Sequence, residues 1–293
     1  MSWQASTLDA VALQLKKRLR VDLDKAVRSL PAKQAKPVRL PRLKGVDVTR
    51  RTSHGMDVYE LTPRGATPTR TVFYTHGGSY TFHAASVHWR FCGRLAVEAG
   101  ATVVVPVYPL APGSTAETTV DQVASVLGDL PDPARTVVMG DSAGGGLALA
   151  IAQELRDWGA PLAAHLVLIA PWLDVSTSDP EQVALEPGDM MLSVPTLQLA
   201  GTLYAGELPL DDRRVSPLHG DLHDLPPITV FVGTSDLLVV DARALVRKAA
   251  EIGVTVDLVE APGMQHVYPV LPLLPEAREG RRQIVEVVKA ALP

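Results

Sequence analysis

The chain has 293 residues, 46% of them hydrophobic and 20% charged, which is enough apolar content for one large α/β domain or two smaller ones. A net charge of −4 argues against a nucleic-acid surface, and a single cysteine, Cys92, excludes an internal disulfide and a cysteine-built metal cluster. No run of about 18 apolar residues occurs, so no membrane span is expected. At the N-terminus the basic residues follow the apolar ones, which is not the order of a signal peptide, and a cytoplasmic protein is expected.

In chain order, Leu8, Val11, Ala12, Leu15 and Leu19 recur at helical spacing among Lys16, Lys17, Arg18 and Arg20, the pattern of an amphipathic helix. The stretch PAKQAKPVRLPRL (31–43) reads as irregular. Eight β-like runs follow: VDVTRR, MDVYELT, RTVFYT, ATVVVPVY, RTVVM, HLVLIA, PITVFVG and TVDLVEA. Between and after them, helical patterns fall at about 84–99, 117–128, 143–157, 241–252 and 276–291. The later runs are continuously apolar, as expected of a mostly parallel sheet with helices on both faces. No internal repeat is present.

Residues 174–224 interrupt the alternation where one crossover helix would suffice. Within them, SVPTLQLAGTLYAG places Ser193 as an N-cap, Pro195 in the first turn and Gly206 as a stop. Insertions at the carboxyl ends of sheet strands sit over the ligand crevice. The expected organisation is therefore an N-terminal cap segment (1–45), a core (46–173 and 225–293) and a cap insertion (174–224). The competing reading is an insertion that only adds stability.

Residues 137–147 read VVMGDSAGGGL, a strand that turns through Gly-Asp-Ser-Ala-Gly into a helix. Serine is common in turns, but this pattern also matches the elbow that holds a nucleophilic serine, here Ser142, in a strained exposed position. Such a serine needs a base, a group that orients the base, and amide donors for an oxyanion. The elbow predicts the chain order serine, acid, histidine. Of eight histidines only His266, in the loop APGMQHVYP, lies beyond position 223. Asp236 directly follows PITVFVGTS and fits the acid. Asp241 reads as the first turn of a helix, with no more than a charge effect at the helix terminus, and Asp257 lies in a strand. HGGSY at 76–80 follows the strand RTVFYT, where its backbone N–H groups can face the amide of Ala143.

Together, HGGSY, YPLAP (108–112), GDSAGG (140–145), GTSDLLVVDAR (233–243) and GMQHVYP resemble the hormone-sensitive-lipase-like branch of the α/β-hydrolases. The resemblance runs from about residue 40 onward. It implies an eight-stranded, mostly parallel sheet with a helical cap, and the activity of a serine carboxylesterase of the acetyl-hydrolase type. Residue by residue it implies nucleophile Ser142, acid Asp236 and base His266. Gly78, Ser79 and Ala143 would supply the oxyanion-hole amides, with Gly77 shaping the loop and His76 anchoring it. Two positions depart from the family: Ser79 replaces the last glycine of HGGG, and Gly113 replaces an acidic residue after YPLAP. Tyr80, His88, Trp89 and Asp141 are the candidates for a substrate pocket, which the low aromatic content predicts to be walled mainly by aliphatic groups.

The expected reaction is hydrolysis of a small-molecule, short-chain acyl ester through an acyl-enzyme, needing neither metal nor organic cofactor. An amidase, lactonase or deacetylase with the same triad stays open, as does a ligand-binding receptor on a hydrolase scaffold. The oligomeric state is open between monomer and homodimer.

Overall fold

The computed structural model describes residues 23–272 and 274–292. Its sheet has eight strands: β1 (Val46–Ser53), β2 (Met56–Pro63), β3 (Arg70–Thr75), β4 (Ala101–Pro106), β5 (Thr136–Asp141), β6 (His165–Ile169), β7 (Ile228–Gly233) and β8 (Val256–Ala261). These are the eight runs read from the sequence. Their spatial order is β1-β2-β4-β3-β5-β6-β7-β8. β2 is antiparallel to β1 and to β4, and every other pairing is parallel.

β1 and β2 close on a two-residue turn, His54-Gly55, in register Ser53↔Met56. Both turn residues have positive φ (47° and 78°), as a tight hairpin of right-handed twist requires. Every residue of β5 and β7 is buried, whereas edge strand β1 buries only Val46. This contrast is the one between a strand covered on both faces and a strand at the rim.

The covering helices are α2 (Ser86–Ala99), α3 (Ala116–Gly128), α4 (Ala143–Asp157), α7 (Val239–Glu251) and α8 (Pro275–Ala291). They match the predicted spans to within two residues at each end. α2 lies beside α8, and α3 beside α4. The insertion carries α5 (Pro180–Leu185) and α6 (Val194–Ala205). α6 begins after Ser193, holds Pro195 in its first turn and stops at Gly206 (φ 62°), as its sequence predicts.

At the other end of the chain the structure differs from the sequence reading. α1 (Leu23–Gln34) continues through Pro31 into the stretch read as irregular. Its end is held from outside, because the Gln34 amide donates to the carbonyls of Thr81 and Ala111 at 2.9 and 2.7 Å. A tertiary anchor here outweighs the local cost of proline. The amphipathic pattern at Leu8–Arg20 lies outside the described residues.

β3 sits between β4 and β5, so the chain leaves it first toward one edge and later toward the other. The crevice at such a reversal, beyond the carboxyl ends of the strands, is where open α/β sheets bind ligands. Thr75 of β3 pairs with Gly140 of β5, so HGGSY and GDSAG emerge side by side there.

Candidate active site

The turn from β5 into α4 places Ser142 at φ 55° and ψ −124°, a strained conformation for a residue with a Cβ. The flanking glycines permit it by close approach. A Cβ on residue 140 would lie 2.2 Å from the Gly144 carbonyl oxygen, and one on residue 144 would lie 2.1 Å from that of Thr75. This is why the bend reads glycine, two residues on either side of the serine.

The loop after β8 brings His266 over the elbow. Its Nε2 lies 2.9 Å from Ser142 Oγ and its Nδ1 lies 2.7 Å from Asp236 Oδ2. Asp236 follows β7 and is fully buried. An Nδ1–H bound to a carboxylate leaves the Nε2 lone pair for the serine hydroxyl, which is the tautomer a general base needs. Burial alone would lower the His266 pKa. The Asp236 charge and hydrogen bond, with Asp189 and Asp141 behind them, reverse that and hold it above the ordinary histidine value.

The glycine loop is fixed from several sides. Gly77 N–H donates to Asp141 Oδ1 at 2.9 Å, so this amide is committed and Gly77 shapes the loop. Tyr74 O–H also donates to Asp141. The YPLAP segment supports the loop too: Tyr108 O–H donates to the His76 carbonyl and Ala111 N–H to that of Tyr80. His76 stacks on Tyr108 with ring centroids 4.3 Å apart and donates from Nδ1 to the Gly77 carbonyl. Burial pushes its pKa down to about 3, which suits an anchor and not a base. Gly78, Ser79 and Tyr80 then take positive φ in succession. The amides of Gly78, Ser79 and Ala143 have no acceptor among the described residues.

A cavity of about 210 Å³ opens beside Ser142. Gly78, Ser79, Asp141 and His266 contribute its polar lining, with Val87, Met191, Leu192, Val267, Val270 and Leu271 as aliphatic wall. The aliphatic wall matches the expectation. Of the four pocket candidates, His88 and Asp141 line the cavity and two do not. Trp89 is fully buried and meets Tyr59 edge-on at 5.2 Å. Successive helical residues point about 100° apart, so when His88 faces the site, Trp89 turns inward to the core. Tyr80 is also buried, stacked on Tyr204 at 3.6 Å, and it joins the loop to α6 instead of lining the pocket.

His88 has a second use. Ala85 N–H donates to its Nδ1 at 2.9 Å, closing the first turn of α2, while Nε2 faces Asp141 Oδ2 at 3.3 Å. Burial by itself would raise the Asp141 pKa, but His88 and the hydrogen bonds from Tyr74 and Gly77 hold it below the usual carboxylate value.

Asp241 corrects the expectation of a helix-terminus charge. It is in the first turn of α7, but it is buried and accepts Leu173 N–H (2.7 Å), Asp174 N–H (3.0 Å) and the Gln182 amide (2.7 Å). Burial pushes its carboxyl up to about 8 against the pull of the two backbone donors. It clasps the insertion to the loop after β6. Asp189, Gln265 and Tyr74 are further buried polar groups around the site that no motif singles out. No helix among the described residues is long and apolar enough to cross a membrane.

Comparison with known proteins places the fold. A family model of the alpha/beta hydrolase fold matches residues 72–270. The chain is similar to an acetyl-hydrolase of Streptomyces hygroscopicus, 36% identical over 231 residues that cover 76% of this chain and 75% of that one. It is also similar to an ethyl acetate hydrolase of Pseudomonas putida, 30% identical over 267 residues, 84% of this chain and 82% of the other. The crystal structure of an esterase from the bacterial hormone-sensitive lipase family superposes with a TM-score of 0.86 at 27% identity, covering 100% of this chain and 99% of that one. By fold, by sequence and by the order of its motifs, the chain belongs to the α/β-hydrolase fold family, in its hormone-sensitive-lipase-like branch.

Proposed function

We propose that this chain hydrolyses short-chain acyl esters, with Ser142 as nucleophile, His266 as general base and Asp236 as the group that orients it. The chain is a carboxylic ester hydrolase by its relatives. The observation that carries the finer reading is the unbroken run of contacts from Asp236 through His266 to Ser142, at 2.7 and 2.9 Å, beside three uncommitted amides.

In this reading His266 takes the hydroxyl proton as Ser142 Oγ attacks the ester carbonyl. The amides of Gly78, Ser79 and Ala143 stabilise the tetrahedral oxyanion. His266 then returns the proton to the departing alcohol, and water hydrolyses the acyl-enzyme by the same steps. Ser79 donates through its backbone, so its side chain does not remove the donor that glycine supplies elsewhere in the family. Residues 46–173 and 225–293 form the core that carries this machinery. The described part of the 1–45 segment and residues 174–224 act as the cap, a reading supported by Met191 and Leu192 at the cavity and by Gln34 on the Thr81 carbonyl, just after the glycine loop. The cavity of about 210 Å³ is below the roughly 300–1,000 Å³ of typical ligand pockets, which favours a short acyl chain.

The test is a hydrolysis screen with purified protein over acyl esters, lactones and acyl amides, run beside Ser142→Ala. Ester turnover is expected to exceed the others, and loss of the nucleophile to reduce it on the order of 10⁶-fold. Retained activity in a normally folded Ser142→Ala protein would refute the assignment, and preferential amide or lactone turnover would replace the substrate class.

A further inference from the structure

We propose that Asp189 is a positioning residue for hydrolysis: its carboxylate ties the pocket-lining part of the insertion to the backbone that carries the triad acid, so that the two are ordered together. This rests on the reading of Ser142, His266 and Asp236 given above.

Asp189 is fully buried. Its Oδ1 accepts the amides of Met191 and Leu192, both at 2.8 Å, and these two residues line the cavity. Its Oδ2 accepts the amide of Leu237, the residue after Asp236, at 3.0 Å. A local turn explains the first two contacts. It does not explain the third, which reaches a segment 48 residues away. A parallel link joins the same strip to the base: Met190 N–H donates to Gln265 Oε1 at 3.1 Å, next to His266. The strip 189–192 is thus fastened to the acid loop and to the base loop while Met191 and Leu192 wall the pocket.

The charge has a role besides the geometry. Asp236 faces His266 directly, Asp189 and Asp141 stand behind it, and His88 lies near on α2. A buried carboxylate at Asp189 favours the imidazolium that forms as Ser142 attacks. Burial and the neighbouring Asp236 raise the Asp189 pKa, while its backbone donors and His266 oppose the rise.

The experiment compares wild type, Asp189→Asn, Asp189→Glu and Ser142→Ala on p-nitrophenyl acetate across pH, with thermal melting of each. Asn keeps an acceptor for the 191–192 turn but sets an amide group against Leu237 N–H and removes the charge. Its kcat is expected to fall roughly 10–100-fold, the scale of a small misplacement of reacting groups. The acid limb of kcat/KM should also move to lower pH. Glu keeps the charge in a displaced position, so its limb should stay near that of wild type while kcat falls.

Wild-type kcat and limb in Asp189→Asn would overturn the proposal. So would a loss that only tracks melting temperature, with the limb unmoved. If the Asn variant does not fold, wild-type kcat in Asp189→Glu overturns it instead, and a reduced kcat with an unshifted limb supports it. Failure of wild type to hydrolyse the ester in a Ser142-dependent way would instead sink the underlying function, and is read separately.

Discussion

Asp141 Oδ1 accepts the amide of Gly77 across 2.9 Å, so the residue just before Ser142 fixes the loop opposite it. The loop side of the proposed oxyanion site is therefore braced by one buried carboxylate, which also receives Tyr74 and faces His88. Asp141→Ala should release the loop and misplace the Gly78 and Ser79 amides. Losing one such donor costs 10²–10³-fold in kcat, and a loss of about that size is expected with KM changed far less. Steady-state kinetics with a melting control checks this. A kcat within a few-fold of wild type would show that the loop holds itself.

Hydrolysis should fall as pH drops through the His266 pKa, because only neutral imidazole accepts the serine proton. The Asp236 carboxylate leads the groups that offset the effect of burial and raise that pKa. The midpoint should then lie above about 6.5, the ordinary histidine value. His76, pushed down to about 3, does not titrate in this window. A kcat/KM profile flat between about pH 5 and 8 would exclude a histidine base.

Asp236 and Asp241 are both buried, five positions apart, and they should fail differently. Asp236→Asn leaves the backbone fold intact but favours the wrong imidazole tautomer, with a loss of about 10⁴ in the best-studied triad. Asp241→Asn keeps an acceptor for Leu173 and Asp174 N–H, and the Gln182 amide can turn to accept from the new NH₂ group, so it should be mild. Asp241→Ala strands three donors, and the two buried ones, Leu173 N–H and the Gln182 amide, cost about 1–3 kcal/mol each. Urea denaturation should show a marked stability loss for Asp241→Ala, and kinetics the larger kcat loss for Asp236→Asn. The reverse order would mean that the acid is misassigned.

Acyl preference should peak at a few carbons, without a rate jump when substrate forms an interface. Each buried methylene adds about 0.8 kcal/mol until the chain meets the wall of Val87, Leu192 and Val270. α6 turns Val194, Leu197, Ala200, Gly201, Tyr204 and Ala205 inward, so its apolar stripe packs on the core. Lipid binding scales with the apolar area available to insert, and this helix does not offer that face. Assays with p-nitrophenyl esters from acetate to palmitate test this. An optimum at palmitate, or activation above the solubility limit, would contradict it.

The eight strands and the elbow are legible in the sequence because both rest on local rules: apolar runs of strand length, and glycines where backbones nearly touch. His266 is legible by elimination and by chain order. The inward turn of Trp89 beside the outward turn of His88 is not, since the helical pattern at 84–99 does not say which face meets the site. Asp189 and Asp241 are equally hidden. Their long-range partners lie 48 and 59–68 residues away in sequence, and only the packing of the insertion brings them together.

Ser142 and His266 are 124 residues apart, with β6, β7 and β8 between them in the chain. Ser142 N–H donates to the Ile169 carbonyl and its own carbonyl accepts Trp172 N–H, so the elbow is completed only by β6 and the loop after it, and the proposed base comes later still. On the proposed triad, turnover is expected to begin only with the last strand and its loop. The unfinished chain is then expected to be silent during synthesis, and during refolding the return of activity should time the final docking event, not the formation of the elbow.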